Sequence, residues 1–306
     1  MSYIFNVQQI VNGLQLGSIY ALIALGYTMV YGIVRLINFA HGDFYMLGAY
    51  AAYGAFYLFN SFISVKSGAF AFLILLAAMA AGGGIALLTN RFAYRPLRYK
   101  PKLSALITAI GVSMFLEYFF SALPMIGPSP RAFPEILPKK LYHIGGAAGA
   151  EISNYVIIDI SVAAVLMTGL TLLIQKTALG KAMRAVSEDK DAARLMGIDI
   201  EKVIAWTFLI GGAFAGAAGL LAGLTYPRIQ PYMGMMPGLK AFIAAVLGGI
   251  GNIPGAVLGA YIMGLAETFA SAYNSLLGEG IAFAILILVL IIRPTGILGE
   301  KTADKI

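Results

Sequence analysis

Long stretches free of Asp, Glu, Lys and Arg alternate with short charged segments along the whole chain. Residues 1–34 carry no such charge, and Arg35 is the first. Residues 44–65, 67–90, 160–175, 203–227, 241–266, 268–278 and 280–292 carry none, and 103–130 carries only Glu117. A spanning helix needs about 20 mostly apolar residues, because a hydrocarbon core of about 30 Å is crossed at about 1.5 Å per residue. The pattern therefore predicts an all-α, polytopic membrane helix bundle. Its spans fall near 8–34, 43–62, 68–90, 103–123, 155–175 and 203–224. Residues 238–293 are too long for one span and hold two or three more, for eight or nine in all. Within them Pro254 lies in Gly248-Gly249-Ile250-Gly251-Asn252-Ile253-Pro254-Gly255, which predicts an interrupted helix.

Composition narrows the class. Of 306 residues, 60% are hydrophobic and only 11% charged, against about 25% charged in an ordinary soluble domain. A soluble enzyme, a disordered chain and a coiled coil are excluded. The 36 glycines suit close helix approach in lipid. Gly13 and Gly17, Gly212 and Gly216, Gly219 and Gly223, and Gly255 and Gly259 each stand four apart, on one helix face, where intrachain packing is the expected use. With no cysteine, disulfides, thiolate metal sites and cysteine nucleophiles are ruled out.

The net charge of +7 would suggest nucleic acid in a soluble protein, but here the basic residues fall between apolar runs and report orientation instead. Arg91, Arg95, Arg98, Lys100 and Lys102 crowd 91–102; Lys176, Lys181, Arg184, Lys190, Arg194 and Lys202 occupy 176–202; Arg293, Lys301 and Lys305 mark the tail. All three segments are expected in the cytoplasm and 124–154 outside, with the N terminus outside and the C terminus inside. The amino end has neither a positive region nor a cleavage signature, so its apolar segment is expected to remain as a helix. The hydrophilic pieces, the largest about 30 residues, leave no room for an ATPase domain, so any use of ATP requires a partner.

Little points to covalent chemistry. The glycine run 248–255 lacks the Gly-Lys-Ser/Thr ending of a phosphate loop. His41 and His143 are too few for a metal site, and no Gly-x-Ser-x-Gly elbow occurs. No catalytic residue, metal or cofactor is expected. The polar interruption Arg35-Leu36-Ile37-Asn38-Phe39-Ala40-His41-Gly42-Asp43 has two readings. It is a cytoplasmic turn with Asp43 capping the next helix, or a broken helix whose Asn38 and His41 line a cavity. Glu117 and Glu267 stand within apolar runs, either reaching interfacial water or lining a path. Asp159 is expected at the interface and Lys240 to snorkel.

Residues 176–202 form the strongest local feature. Ala182, Ala185, Val186, Ala193 and Met196 recur at helical spacing as an apolar stripe, with Arg184, Glu188, Asp189, Asp191 and Arg194 around it and Gly197 placed to end the helix. One or two short helices result, suited either to a groove on a partner or to the membrane surface.

Here the residues resemble a known family. Asp191-Ala192-Ala193-Arg194-Leu195-Met196-Gly197 resembles the loop of ABC importer permeases that enters a cleft on the ATPase subunit. Gly26-Tyr27-Thr28-Met29-Val30-Tyr31-Gly32, Asn38–Asp43, Ala93-Tyr94-Arg95-Pro96-Leu97-Arg98, Gly238-Leu239-Lys240-Ala241-Phe242, Ala245–Ala256 and Arg293-Pro294-Thr295-Gly296-Ile297-Leu298-Gly299 resemble LivH-type permeases of branched-chain amino-acid importers, across about residues 8–299. The resemblance implies one permease domain over 1–306. Its parts are five spans in 8–175, a coupling segment in 176–202, further spans in 203–293 and a cytoplasmic tail in 294–306. It implies alternating access in a bacterial inner membrane. The partners are a second related permease, two ATP-binding subunits and a periplasmic or surface solute-binding protein. Arg184, Glu188, Asp189, Asp191, Ala192, Ala193, Arg194, Leu195 and Gly197 would couple to the ATPases. Asn38, His41, Glu117, Gly249, Gly251, Asn252 and Glu267 are candidates for the translocation path. Leucine, isoleucine or valine is the implied cargo, with urea or another small amide or amino acid as the alternative. An ion-coupled secondary transporter and a membrane-embedded enzyme are the readings from other classes.

Overall fold

The computed structural model describes residues 7–61, 67–98, 100–144, 150–293 and 295–299. The expectations for residues 1–6, for Pro294, and for Lys301 and Lys305 in the tail lie outside the described residues.

Eleven α-helices make up most of the described residues. They are α1 (Val7–Val34), α2 (His41–Asn60), α3 (Gly68–Thr89), α4 (Lys102–Ala122), α5 (Asn154–Lys176), α6 (Ala178–Glu188), α7 (Lys190–Leu195), α8 (Ile200–Thr225), α9 (Met235–Gly248), α10 (Ile253–Tyr273) and α11 (Ser275–Ile292). Seven, counting α3 through to Leu97, are long and apolar enough to cross a membrane. α2 has the length but carries His41, Asp43 and four tyrosines; α9 has only 14 residues. Residues 238–293 thus contain three helices. Pro254 starts α10, near its first position, where a missing N–H costs nothing, and Asn252 caps that helix by accepting from Gly255 N.

α1 and α8 are mostly buried, while few residues of α4, α5 and α11 are. The latter three form an apolar rim suited to lipid. Close approach at glycine joins the centre. A methyl group at Gly48 of α2 would collide with the backbone of Gly216 in α8, and one at Gly264 of α10 with Gly13 and Gly17 of α1.

One face gathers the charged connections. The π-helical turn Asn90–Tyr94 after α3 leads to Arg98, which pairs with Glu201 at the start of α8, as does Arg95 at 2.9 Å. On the same face α6 and α7 meet the end of α1. After α11 the chain returns to the α9–α10 junction, where Ile297 N and Leu298 N donate to Leu247 O and Gly248 O at 2.8 and 2.9 Å. On the opposite face β1 (Arg131–Ala132) pairs antiparallel with β4 (Arg228–Ile229), and β2 (Leu141–Ile144) with β3 (Ala150–Ser153).

Candidate functional site

The break between α1 and α2 is no surface turn. Arg35 closes α1 in the left-handed region (φ +61°), an uncommon conformation for a residue with a side chain. The chain then runs back into the bundle. His41, the first residue of α2, fills the space left by the absent side chain of Gly26, about 12 Å in from the end of α1 at 1.5 Å per residue. Its ring lies 4.6 Å from that of Tyr27 and 5.7 Å from that of Phe44. Asn38 Oδ1 accepts from Ala40 N at 3.1 Å and from the Tyr94 hydroxyl at 2.6 Å. Asp43 does not cap α2: the capping position is Ala40, and no side chain bonds there. Asp43 is instead buried, because α2 begins at depth rather than at water.

Two buried polar atoms here, Asn38 Nδ2 and Asp43 Oδ2, have no hydrogen-bond partner among the described residues. Glu117 of α4 is 9% exposed and lies near enough to interact with Asp43, which hydrogen-bonds Ser113. Such groups are costly to bury unpaired, so this region suits water or a polar guest.

Glu267 occupies a different place. It accepts from Lys240 Nζ at 2.6 Å and from the Tyr20 hydroxyl at 2.8 Å. Lys240 therefore does not snorkel; its side chain is 8% exposed because its partner lies inside, on α10. Asp159 is not interfacial either. It has no exposed surface, since Gln15 of α1 and Thr225 of α8 each donate to it at 2.7 Å.

Gly249, Gly251 and Asn252 do not converge with Asn38, His41 or Glu267. They make the α9–α10 reversal on the charged face. Gly249 and Gly251 have φ of +106° and +98°, which glycine alone adopts freely. Asn252 Nδ2 donates to Leu298 O at 3.0 Å.

The segment 176–202 forms two helices, α6 and α7. Met183, Val186 and Ala193 are buried, with Ala182 and Ala185 partly so. Met196 departs from the expected stripe and is 82% exposed, because α7 stops at Leu195 and Gly197 turns the chain at φ +80°. Leu195 is 89% exposed beside it. Asp189 caps α7 through the amides of Asp191 and Ala192. Arg184 donates to Ile174 O, and Glu188, Asp191 and Arg194 are exposed. Two bonds tie the segment to the α1–α2 break: Arg35 to Ser187 O at 3.0 Å and Lys190 Nζ to Val34 O at 3.2 Å. Burial, with Arg35 and Arg98 nearby, lowers the Lys190 pKa. The α6–α7 junction, its tie to Arg35, and the Lys240–Glu267 pair are not legible in the chain, since each needs a helix pairing that spacing does not reveal.

A family model described as the permease component of a branched-chain amino acid transport system matches residues 9–290. The chain is 45% identical to the high-affinity branched-chain amino acid transport system permease protein BraD of Pseudomonas aeruginosa, over 98% of each chain. It is 43% identical to the permease protein LivH of Escherichia coli, named for the same kind of system, over 99% of each. It is also 26% identical to E. coli LivM, over 92% of this chain and 68% of that one. The chain belongs to the family of permease components of branched-chain amino acid transport systems.

Proposed function

We propose that the protein is the permease subunit of an ATP-driven importer that moves leucine, isoleucine or valine across a bacterial inner membrane by alternating access. Near-complete coverage at 45% identity to BraD carries this reading. The charged face is cytoplasmic, the N terminus lies outside, and the coupling segment receives the ATPase. The partners are a second related permease, two ATP-binding subunits and a solute-binding protein. No residue performs covalent chemistry, and ATP hydrolysis belongs to the partners.

The geometry supports a route for force. Leu195 and Met196 offer apolar surface at the tip of α7, where a partner's groove would cover them. Displacing α6 and α7 pulls on Arg35 and Val34, and so on the turn that sets the depth of α2. Rotation of α2 would open the region of Asn38, His41 and Asp43.

Reconstitution of the assembled complex tests this. ATP-dependent uptake of leucine is expected. Uptake of urea but not leucine, or leucine uptake without ATP under an ion gradient, overturns it. Leu195→Asp with Met196→Asp changes only exposed positions, so the permease should fold while ATP-binding subunits no longer co-purify; undiminished co-purification would refute the docking assignment.

A further inference from the structure

A cavity of about 300 Å³ lies where α1, α2, α8, α9 and α10 meet, and its walls are of two kinds. One part is the polar trio of Tyr20, Lys240 and Glu267. The rest is the hydrocarbon of Leu16, Ile19, Ala222, Met236 and Pro237, with the phenol rings of Tyr45 and Tyr226 beside it. Tyr226 and Met236, 55% and 43% exposed, mark where the cavity meets the surface. Glu267 stands 14 residues into α10, about 21 Å from the charged face at 1.5 Å per residue, so the cavity lies in the outer half of the bundle.

Stability does not explain the ion pair. The Lys240 and Glu267 side chains are 8% and 13% exposed, and a buried pair is often no better for stability than well-packed apolar groups of similar volume. The trio also keeps hydrogen-bonding capacity in reserve. An ammonium has three donors, and Lys240 donates to Glu267 with one; each carboxylate oxygen has two lone pairs, and each accepts one bond here. A guest carboxylate can take the free N–H groups of Lys240 while a guest ammonium takes the free lone pairs of Glu267, so neither residue is left unpaired. A purely cationic guest meets Lys240, and a purely anionic one meets Glu267. The hydrocarbon walls then accept an uncharged side chain.

We propose that this cavity is a transit site in which the permease itself binds a zwitterionic amino acid through Lys240 and Glu267 and selects the hydrocarbon side chain by size. The inference rests on the importer reading and deepens it. Specificity is then set partly in the permease, after release from any binding protein.

The test uses the assembled complex without its binding protein and measures equilibrium binding of radiolabelled leucine, then uptake with all components present. Wild type should bind leucine saturably. Glu267→Gln and Lys240→Met should each weaken binding by about tenfold or more, as expected for losing a charged hydrogen bond. Lys240→Met combined with Glu267→Met leaves no lone charge, so the complex should assemble, with leucine binding lost. Met236→Trp, at a half-exposed position, narrows the cavity and should lower leucine uptake relative to valine by about tenfold, the scale of discrimination for one methylene. Absent saturable binding in wild type, wild-type binding in the charge variants, or an unchanged leucine-to-valine ratio in Met236→Trp each overturns the transit site. If the paired variant fails to assemble, wild-type binding, the two single charge variants and the Met236→Trp ratio decide. A wild-type complex that imports no branched-chain amino acid would instead refute the importer reading.

Discussion

Asp159 shows how one residue's role depends on partners far away in sequence. Close to the start of an exposed helix, it looks able to reach water, yet three helices enclose it. Gln15 Nε2 donates both to its carboxylate and to Thr225 Oγ1, the latter at 2.9 Å, so α1, α5 and α8 share one polar knot. Asp159→Ala should strand the Gln15 and Thr225 groups and cost about 1–3 kcal/mol, the usual penalty for an orphaned buried partner. Asp159→Asn keeps an acceptor and should cost less. Thermal unfolding of the purified permease in detergent measures both, and an alanine variant that melts with wild type would show the knot to be unimportant. Lys240 carries the same lesson. Its charge is legible, but its partner is not, because Glu267 lies on the next helix and only the α9–α10 reversal brings the two together.

At the scale of elements the chain is more explicit. The expected spans 8–34, 155–175 and 203–224 agree with α1, α5 and α8 to within a few residues, because length and absence of charge suffice to define a helix in lipid. The count in 238–293 is less legible, since only Asn274 separates α10 from α11 and hydropathy averages across so short a gap. Glycine spacing is legible too. All four pairs lie against other segments of this chain: Gly212 against Gly82, Gly219 against Tyr45, Gly223 against the Phe133 ring and Gly259 against Ala244, for example. What spacing cannot tell is which glycines matter most. Gly48 stands in no such pair, yet a methyl group there would meet the Gly216 backbone, whereas one at Gly54, on the same helix, would face open space. Gly48→Ala should push α2 from α8 and lower the melting temperature. Gly54→Ala should be neutral or add up to about 1 kcal/mol through helix propensity. Equal effects of the two substitutions would mean that close backbone approach is not what joins α2 to α8.

At the scale of the whole molecule, the two faces differ in what they hold. One has Arg95 and Arg98 bound to Glu201, the α6–α7 segment and the glycine reversal; the other has the short β pairs and the mouth of the Lys240–Glu267 cavity. If the first is cytoplasmic, positive charge, force input and substrate arrival each fall on the side that import requires. Because the chain has no cysteine, single substitutions can report this without background. Tyr142→Cys, in β2, and Leu195→Cys, at the end of α7, are both exposed positions. A membrane-impermeant maleimide added to intact spheroplasts should label the former and not the latter. After permeabilisation Leu195→Cys should react in the permease expressed alone and stay protected when the ATP-binding subunits are co-expressed. Labelling of Leu195→Cys from outside would invert the topology and, with it, the direction of coupling. Labelling only after permeabilisation, but without protection, would keep the topology and move the docking surface elsewhere.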